Sequence, residues 1–94
     1  MAILKNYEFC SRFGVTPMPL STDAEKEIKN FFQNPAEEHH KMLNKAHLTG
    51  EIYGRPGFED GDLVVTSRII SIKREAGAVS VITNSGTEYR LADE

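Results

Sequence analysis

Arginine placed among hydroxyl and aromatic side chains, inside segments that otherwise read as strands, is the feature of this sequence best suited to chemistry. Thr66-Ser67-Arg68 interrupts the apolar runs Leu63-Val64-Val65 and Ile69-Ile70. Arg90 lies between Tyr89 and Leu91, and Arg55 follows Tyr53. A guanidinium offers a rigid fork of N–H donors that matches a phosphate, and a nearby aromatic face can stack on a base. Ser85-Gly86-Thr87 adds a turn whose backbone N–H groups and hydroxyls can hold an anion. The competing explanation for each is an outward-pointing arginine and an ordinary hairpin turn.

Other chemistries find less support. His39, His40 and His47 fall in a segment that reads as helical, but no H-x-x-x-H pair is present, so no metal site is expected. Solvated or interface histidines on an amphipathic helix account for them. Glu59-Asp60-Gly61-Asp62 lacks the longer ligand spacing of a calcium loop. Glu37-Glu38 fits a helix start, where the dipole favours acidic side chains. The chain holds no G-x-S-x-G, no G-x-x-x-x-G-K-[ST] and no G-x-G-x-x-G. Cys10 is the single cysteine, which excludes an intrachain disulfide and favours a buried small apolar role over a nucleophilic one. No catalytic residue, metal or cofactor is expected, and the chain reads as a non-enzyme.

Size and charge bound the remaining possibilities. Ninety-four residues fit one domain, 1–94, with little interior to spare for a ligand. A formal charge of −3 argues against a broad nucleic-acid surface but leaves a local basic pocket open. The charge is uneven: through Gly50 six basic residues balance six acidic ones, whereas the remainder carries five against eight. The start, Met-Ala-Ile-Leu-Lys-Asn-Tyr-Glu, lacks the pattern of a signal peptide. No apolar run approaches the roughly 20 residues of a membrane span. A cytoplasmic protein is the expectation.

The elements that must position these residues follow from periodicity. Tyr7, Phe9, Phe13 and Val15 alternate with polar positions, which predicts an N-terminal strand, with Gly14 as a bulge or bend. Thr16-Pro17-Met18-Pro19 reads as an extended connector. Thr22-x-x-Glu25 is a capping-box pattern, and Ala24, Ile28, Phe31 and Phe32 form an apolar helical stripe behind it. Phe31 and Phe32 are adjacent and cannot both face one centre, so one is expected to meet a partner subunit. Asn34-Pro35 predicts a second helix, carrying Met42, Leu43 and Ala46 inward and ending at Gly50. Glu51-Ile52-Tyr53 reads as a short strand. Leu63 to Lys73 reads as the strongest strand, buried on both faces or bulged near Thr66-Ser67. Turns at Glu75-Ala76-Gly77 and Asn84-Ser85-Gly86 complete an antiparallel meander. The predicted class is α+β: an N-terminal strand, two short helices in a corner, and a C-terminal antiparallel β-meander.

The pattern Asp62-Leu63-Val64-Val65-Thr66-Ser67-Arg68-Ile69, followed by Val79-x-Val81-x-Thr83-Asn84-Ser85-Gly86-Thr87-x-Tyr89-x-Leu91, resembles small phage-encoded anti-defence proteins. Among these it looks like the sponge proteins that act against the Thoeris defence system. The resemblance covers the last third of the chain. It implies a compact α+β homo-oligomer that sequesters a small anionic, cyclic nucleotide signal without degrading it, in the cytoplasm of an infected cell. The pocket would form between protomers. Arg55, Arg68, Arg90, Thr66, Ser67, Ser85 and Thr87 would contact the ligand, with Tyr53, Tyr89 or Phe13 stacking. The alternative expectation is a small interaction module that docks on a host protein through its acidic β half.

Overall fold

The first strand, β1 (Ala2–Phe13), changes face partway along. Ala2 and Leu4 are buried, and Asn6 then takes a left-handed backbone conformation at φ 50°. The register against its neighbour slips between Lys5 and Glu8, a bulge that brings Phe9 opposite the buried Leu48 on the core face and sets Cys10 opposite His47. Gly14, at φ 61°, supplies the turn into β2 (Thr16–Met18), with Arg12 opposite Pro17 and Phe13 opposite Thr16. The segment expected as a connector is thus the return arm of a hairpin. Pro17 is tolerated because β2 pairs with β1 alone.

Helix α1 (Thr22–Gln33) buries Ala24, Ile28 and Phe31, the stripe its spacing predicts. Its cap is Ser21, one residue before the expected Thr22, with the Ser21 hydroxyl accepting from the Ala24 amide at 3.3 Å. Phe32 remains partly exposed, packed edge-on against Phe9 and Phe31 at 5.9 and 5.5 Å between ring centroids.

The expected second helix is absent, and with it the helical corner. Beyond Asn34-Pro35 the chain forms β3 (His39–Lys41) and β4 (His47–Tyr53). Leu48, Gly50 and Ile52 are buried at alternate positions, so a period of two prevails over the helical spacing of Met42, Leu43 and Ala46. Gly50 therefore lies inside a strand and caps nothing. A Cβ there would stand 3.0 Å from the Lys5 carbonyl oxygen and 3.1 Å from Tyr7 Cα, where β1 bulges against β4.

The expected long strand is two: β5 (Asp62–Val65) and β6 (Ile69–Glu75), parted at 66–68. β7 (Ala78–Thr83) and β8 (Glu88–Ala92) follow, and β6, β7 and β8 form the antiparallel meander that the turns predict. β8 then runs parallel to β1, with Leu4 opposite Leu91, which makes the sheet mixed.

This computed structural model describes residues 2–92; the Asp93–Glu94 end, expected to fray, lies outside the described residues. Within them the protein is mostly β, one eight-stranded mixed sheet with a single helix. The strand order is β3-β6-β7-β8-β1-β4-β5, with β2 added on β1. β5 and β6 stand near opposite ends of that order, yet only residues 66–68 join them, so the sheet curls back on itself. Thr66 N donates to Leu48 O and Ile69 N to Ala46 O, both at 2.8 Å, stitching the closure beside β4. Leu4, Leu48, Ile52, Ile69, Ile72 and Val81 fill the interior, and Phe31 is buried with them from α1. Each such side chain contributes about 1.5–3 kcal/mol by leaving water. Among the described residues no helix is long and apolar enough to cross a membrane.

Candidate functional site: a basic cleft without carboxylates

Where the curled sheet closes, an open cleft of about 690 Å³ is lined by Arg12, Gly14, Leu43, Lys45, His47, Ser67, Arg68 and Asn84. Four parts of the chain supply it: the β1–β2 hairpin, residues 42–47, the bend at 66–68 and the turn after β7. Three full positive charges share this lining and no carboxylate offsets them. A small anion entering here meets attraction from several sides.

Thr66 organises the bend. Its buried hydroxyl accepts from Leu48 N at 3.0 Å and donates to Ser67 O at 2.9 Å. Its carbonyl oxygen accepts from His47 Nδ1 at 3.0 Å and from the Arg12 guanidinium at 3.2 Å. Arg68 O accepts from Asn84 N at 2.7 Å, fixing the last turn against the bend. A carbonyl only accepts, so Nδ1 of His47 carries the proton and Nε2 is the ring's other face. His47 is 3% exposed. Its Nε2 is the buried side-chain polar atom left without a hydrogen-bond partner among the described residues.

A second network places the Leu43–Lys45 wall. Glu27 of α1 accepts from Leu43 N at 2.7 Å and from both nitrogens of Asn44 at 3.0 Å. His40 bridges two carboxylates, with Nε2 at 2.8 Å from Glu27 and Nδ1 at 3.1 Å from Glu37. Burial pushes the Glu27 carboxyl up, but the bonds from Leu43, Asn44 and His40 outweigh it and hold the group below its usual range. Burial pushes His40 down, and the bonds to Glu27 and Glu37 reverse this and raise it.

The ten residues singled out in the sequence do not converge on one site. Ser67 and Arg68 line the basic cleft, and Thr66 lies behind it with its hydroxyl already committed. Phe13, 68% exposed, stands on the hairpin between Arg12 and Gly14. Arg55 donates to the Tyr89 hydroxyl and stacks on Tyr89 and Phe58, at 5.6 and 5.1 Å from the ring centroids. The Tyr53 hydroxyl donates to Glu51 at 3.2 Å, and Lys5 lies 4.8 Å from its ring centroid. Arg90 borders a different cleft, with Ile3, Tyr7 and Phe32. Ser85 meets the Thr83 hydroxyl at 3.0 Å, and Thr87 O accepts from Thr83 N at 3.0 Å, which are the bonds of a hairpin turn.

Arg12, Lys45, His47 and Asn84 belong to the cleft, and the sequence marks none of them as an anion contact; His47 stands out there only as a rejected metal ligand. Arg12 reads as an ordinary polar position of a strand, and Lys45 and His47 fall in the segment whose spacing predicts a helix. Only the sheet closure gathers them, and no local spacing encodes that. Cys10 pairs in register with His47; burial and then Glu8 push its thiol up, partly offset by Arg12. No protein-family model matches the chain, and neither a curated protein nor a solved structure matches it significantly.

Proposed function

We propose that this chain is a non-enzymatic binding protein that sequesters a small anionic nucleotide in the basic cleft, working as a homo-oligomer. The observation that carries the reading is the lining itself: Arg12, Lys45 and Arg68 without a carboxylate, in a protein whose formal charge is −3. Concentrating uncompensated cations in one concavity of an acidic protein favours a compact anion over an extended polyanion. Ser67 and Asn84 add neutral polar groups, and the exposed ring of Phe13 at the cleft's edge offers a face on which a base can stack. A cyclic nucleotide signal as ligand, and the cytoplasm of an infected cell as the setting, are what the resemblance to phage sponge proteins adds. Phe13, Val15 and Met18 leave an apolar surface on the hairpin beside the cleft, a place where a second protomer can complete it.

Isothermal titration against cyclic nucleotides and ADP-ribose derivatives tests this. Heat from at least one of them is expected, lost in Lys45→Glu and Arg68→Glu, with the ligand recovered intact by mass spectrometry. No heat from any of them overturns the proposal.

A second reading has its own observation. β5 ends the strand order, its Leu63 is 80% exposed, and the exposed acidic residues Glu59, Asp60 and Asp62 adjoin it. An acidic edge of this kind suits docking on a host protein by strand addition. Recovery of one stoichiometric partner, abolished by Leu63→Lys, supports it.

A further inference from the structure

We infer that Nε2 of His47 is the atom with which the cleft recognises a tetrahedral oxyanion, through a proton that the site takes up on binding. The inference rests on the reading of the cleft as an anion site and goes on to name its selective contact.

The geometry sets the terms. Thr66 O holds the Nδ1 proton at 3.0 Å, so the tautomer is fixed and Nε2 of the neutral ring presents a lone pair. Leaving such an atom buried and unpaired is unfavourable, and native interiors rarely tolerate it outside functional positions. His47 lines the cleft while almost wholly buried, beneath a rim of exposed Leu43, Lys45, Arg68 and Asn84. A ligand that displaces those rim side chains reaches Nε2.

An oxyanion oxygen also carries only lone pairs, so a direct contact needs a proton between the two atoms. Solvent supplies it to the ring, giving an imidazolium that donates from Nδ1 to Thr66 O and from Nε2 to the ligand. The charged and titratable groups around the ring are Arg12, Cys10 and Glu8 from β1, Lys45 from the preceding segment and Arg68 from the bend; Glu8, opposite Thr49, acts on Cys10 but does not line the cleft. The cleft lining itself holds no carboxylate. The ligand's own negative charge therefore makes the imidazolium favourable, and binding and protonation are coupled.

Inorganic sulfate is the decisive probe, because near neutrality its oxygens take no proton and any uptake belongs to the protein. Titration at pH 8 in Tris and in HEPES, whose ionisation enthalpies differ, reads that uptake directly. Wild type is expected to bind sulfate with proton uptake. His47→Asn keeps an amide N–H near the Nδ1 position and deletes Nε2. It is expected to bind about ten- to a hundredfold more weakly, the range for a lost hydrogen bond to a charged group, and without uptake. His47→Gln, whose amide reaches the Nε2 position, is expected to recover affinity without recovering uptake. Thermal melts of each variant show whether the fold is kept, and the wild-type uptake stands independently of them. Sulfate binding that is equally tight in His47→Asn, or wild-type binding without uptake, overturns the role of His47 and leaves the anion cleft standing. Failure of wild type to bind either sulfate or phosphate overturns both.

Discussion

The carbonyl oxygen of Thr66 lies 3.0 Å from Nδ1 of His47 and accepts its proton, while the Thr66 hydroxyl accepts from the amide one residue further on, at Leu48. One residue of the bend thereby holds both the backbone and the side chain at the start of β4. The hydroxyl that looked like a ligand contact in the sequence is a positioning group.

Thr66→Val tests that role. Valine keeps the branched shape and removes the acceptor, leaving the Leu48 amide buried without a partner. The expected loss is about 1–3 kcal/mol, read as a lower urea midpoint with an unchanged slope. Thr66→Ser retains the oxygen and is expected to stay close to wild type. Anion affinity should fall in the valine variant, because the carbonyl that orients His47 and Arg12 moves with the bend.

The Glu27–His40–Glu37 cluster predicts a window of maximal stability in pH. A neutral imidazole has one N–H, so His40 can donate to both carboxylates only as an imidazolium. Glu27 is lowered by folding, so its contribution is complete above the ordinary value of 4.5 and is lost as pH falls through the folded one. His40 is raised by folding, so its contribution is complete below the ordinary value of 6.5 and is lost as pH rises through the folded one. Both contributions are present together between about pH 4.5 and 6.5. Melting temperatures measured from pH 4 to 9 should peak there, and His40→Gln should flatten the alkaline limb selectively. An unchanged alkaline limb in that variant would remove His40 as its cause.

Arg74 gives a third prediction. No basic side chain lies in the last turn of α1, and Arg74 of β6 reaches across to it. Its guanidinium donates to Phe31 O, Asn34 O and Glu37 O at 3.2, 3.1 and 2.6 Å and lies 4.3 Å from the centroid of the Phe31 ring. It therefore supplies further donors and positive charge to the carbonyls at and just beyond the helix C-terminus, two of which, Phe31 O and Asn34 O, also accept from the amides of Asn34 and Glu37. Arg74→Ala should cost about 2–4 kcal/mol, as several carbonyls lose a charged donor together. Arg74→Lys keeps the charge without the fork and should recover less than half of the loss. Equal stability of the lysine variant and wild type in urea would count against the fork.

These residues also show why some of the fold was legible in the sequence and some was not. Ala24, Ile28 and Phe31 announced their helix because one face of one element is buried, and a local period records that directly. Val79 to Leu91 announced its hairpin through turn chemistry and alternation. Residues 36–50 mislead because Asn34-Pro35 suits a helix start, while Leu48 and Ile52 pair with Phe9 and Leu4 of β1, 39 and 48 positions away, and Gly50 packs on the same strand. Gly50 in particular is required by the approach of Lys5 and Tyr7, and a glycine after a periodic run looks the same as a helix end. The cleft was half visible: Ser67 and Arg68 stood out as polar residues inside apolar runs. Arg12, Lys45 and His47 join them only through the curl of the sheet, which is tertiary information.

Arg55 and Arg68 look equivalent in the sequence, each beside a strand with hydroxyl or aromatic neighbours, and the structure gives them different duties. Arg55 is half-buried and already committed: it donates to the hydroxyl of the buried Tyr89 and packs against two rings. Arg68 is exposed on the bend and lines the basic cleft. Arg55→Ala should lower stability by about 1–3 kcal/mol, because the Tyr89 hydroxyl loses its donor and two cation–π contacts go with it, while sulfate affinity stays within twofold of wild type. Arg68→Ala should do the opposite, with a melting temperature near that of wild type and a sulfate affinity reduced several-fold and more sharply at low salt, where screening is weakest. Paired measurement of melting temperature and sulfate affinity on the two variants separates the duties. If Arg55→Ala loses affinity and Arg68→Ala does not, the ligand lies on the Tyr89 side of the molecule and the basic cleft is not its site.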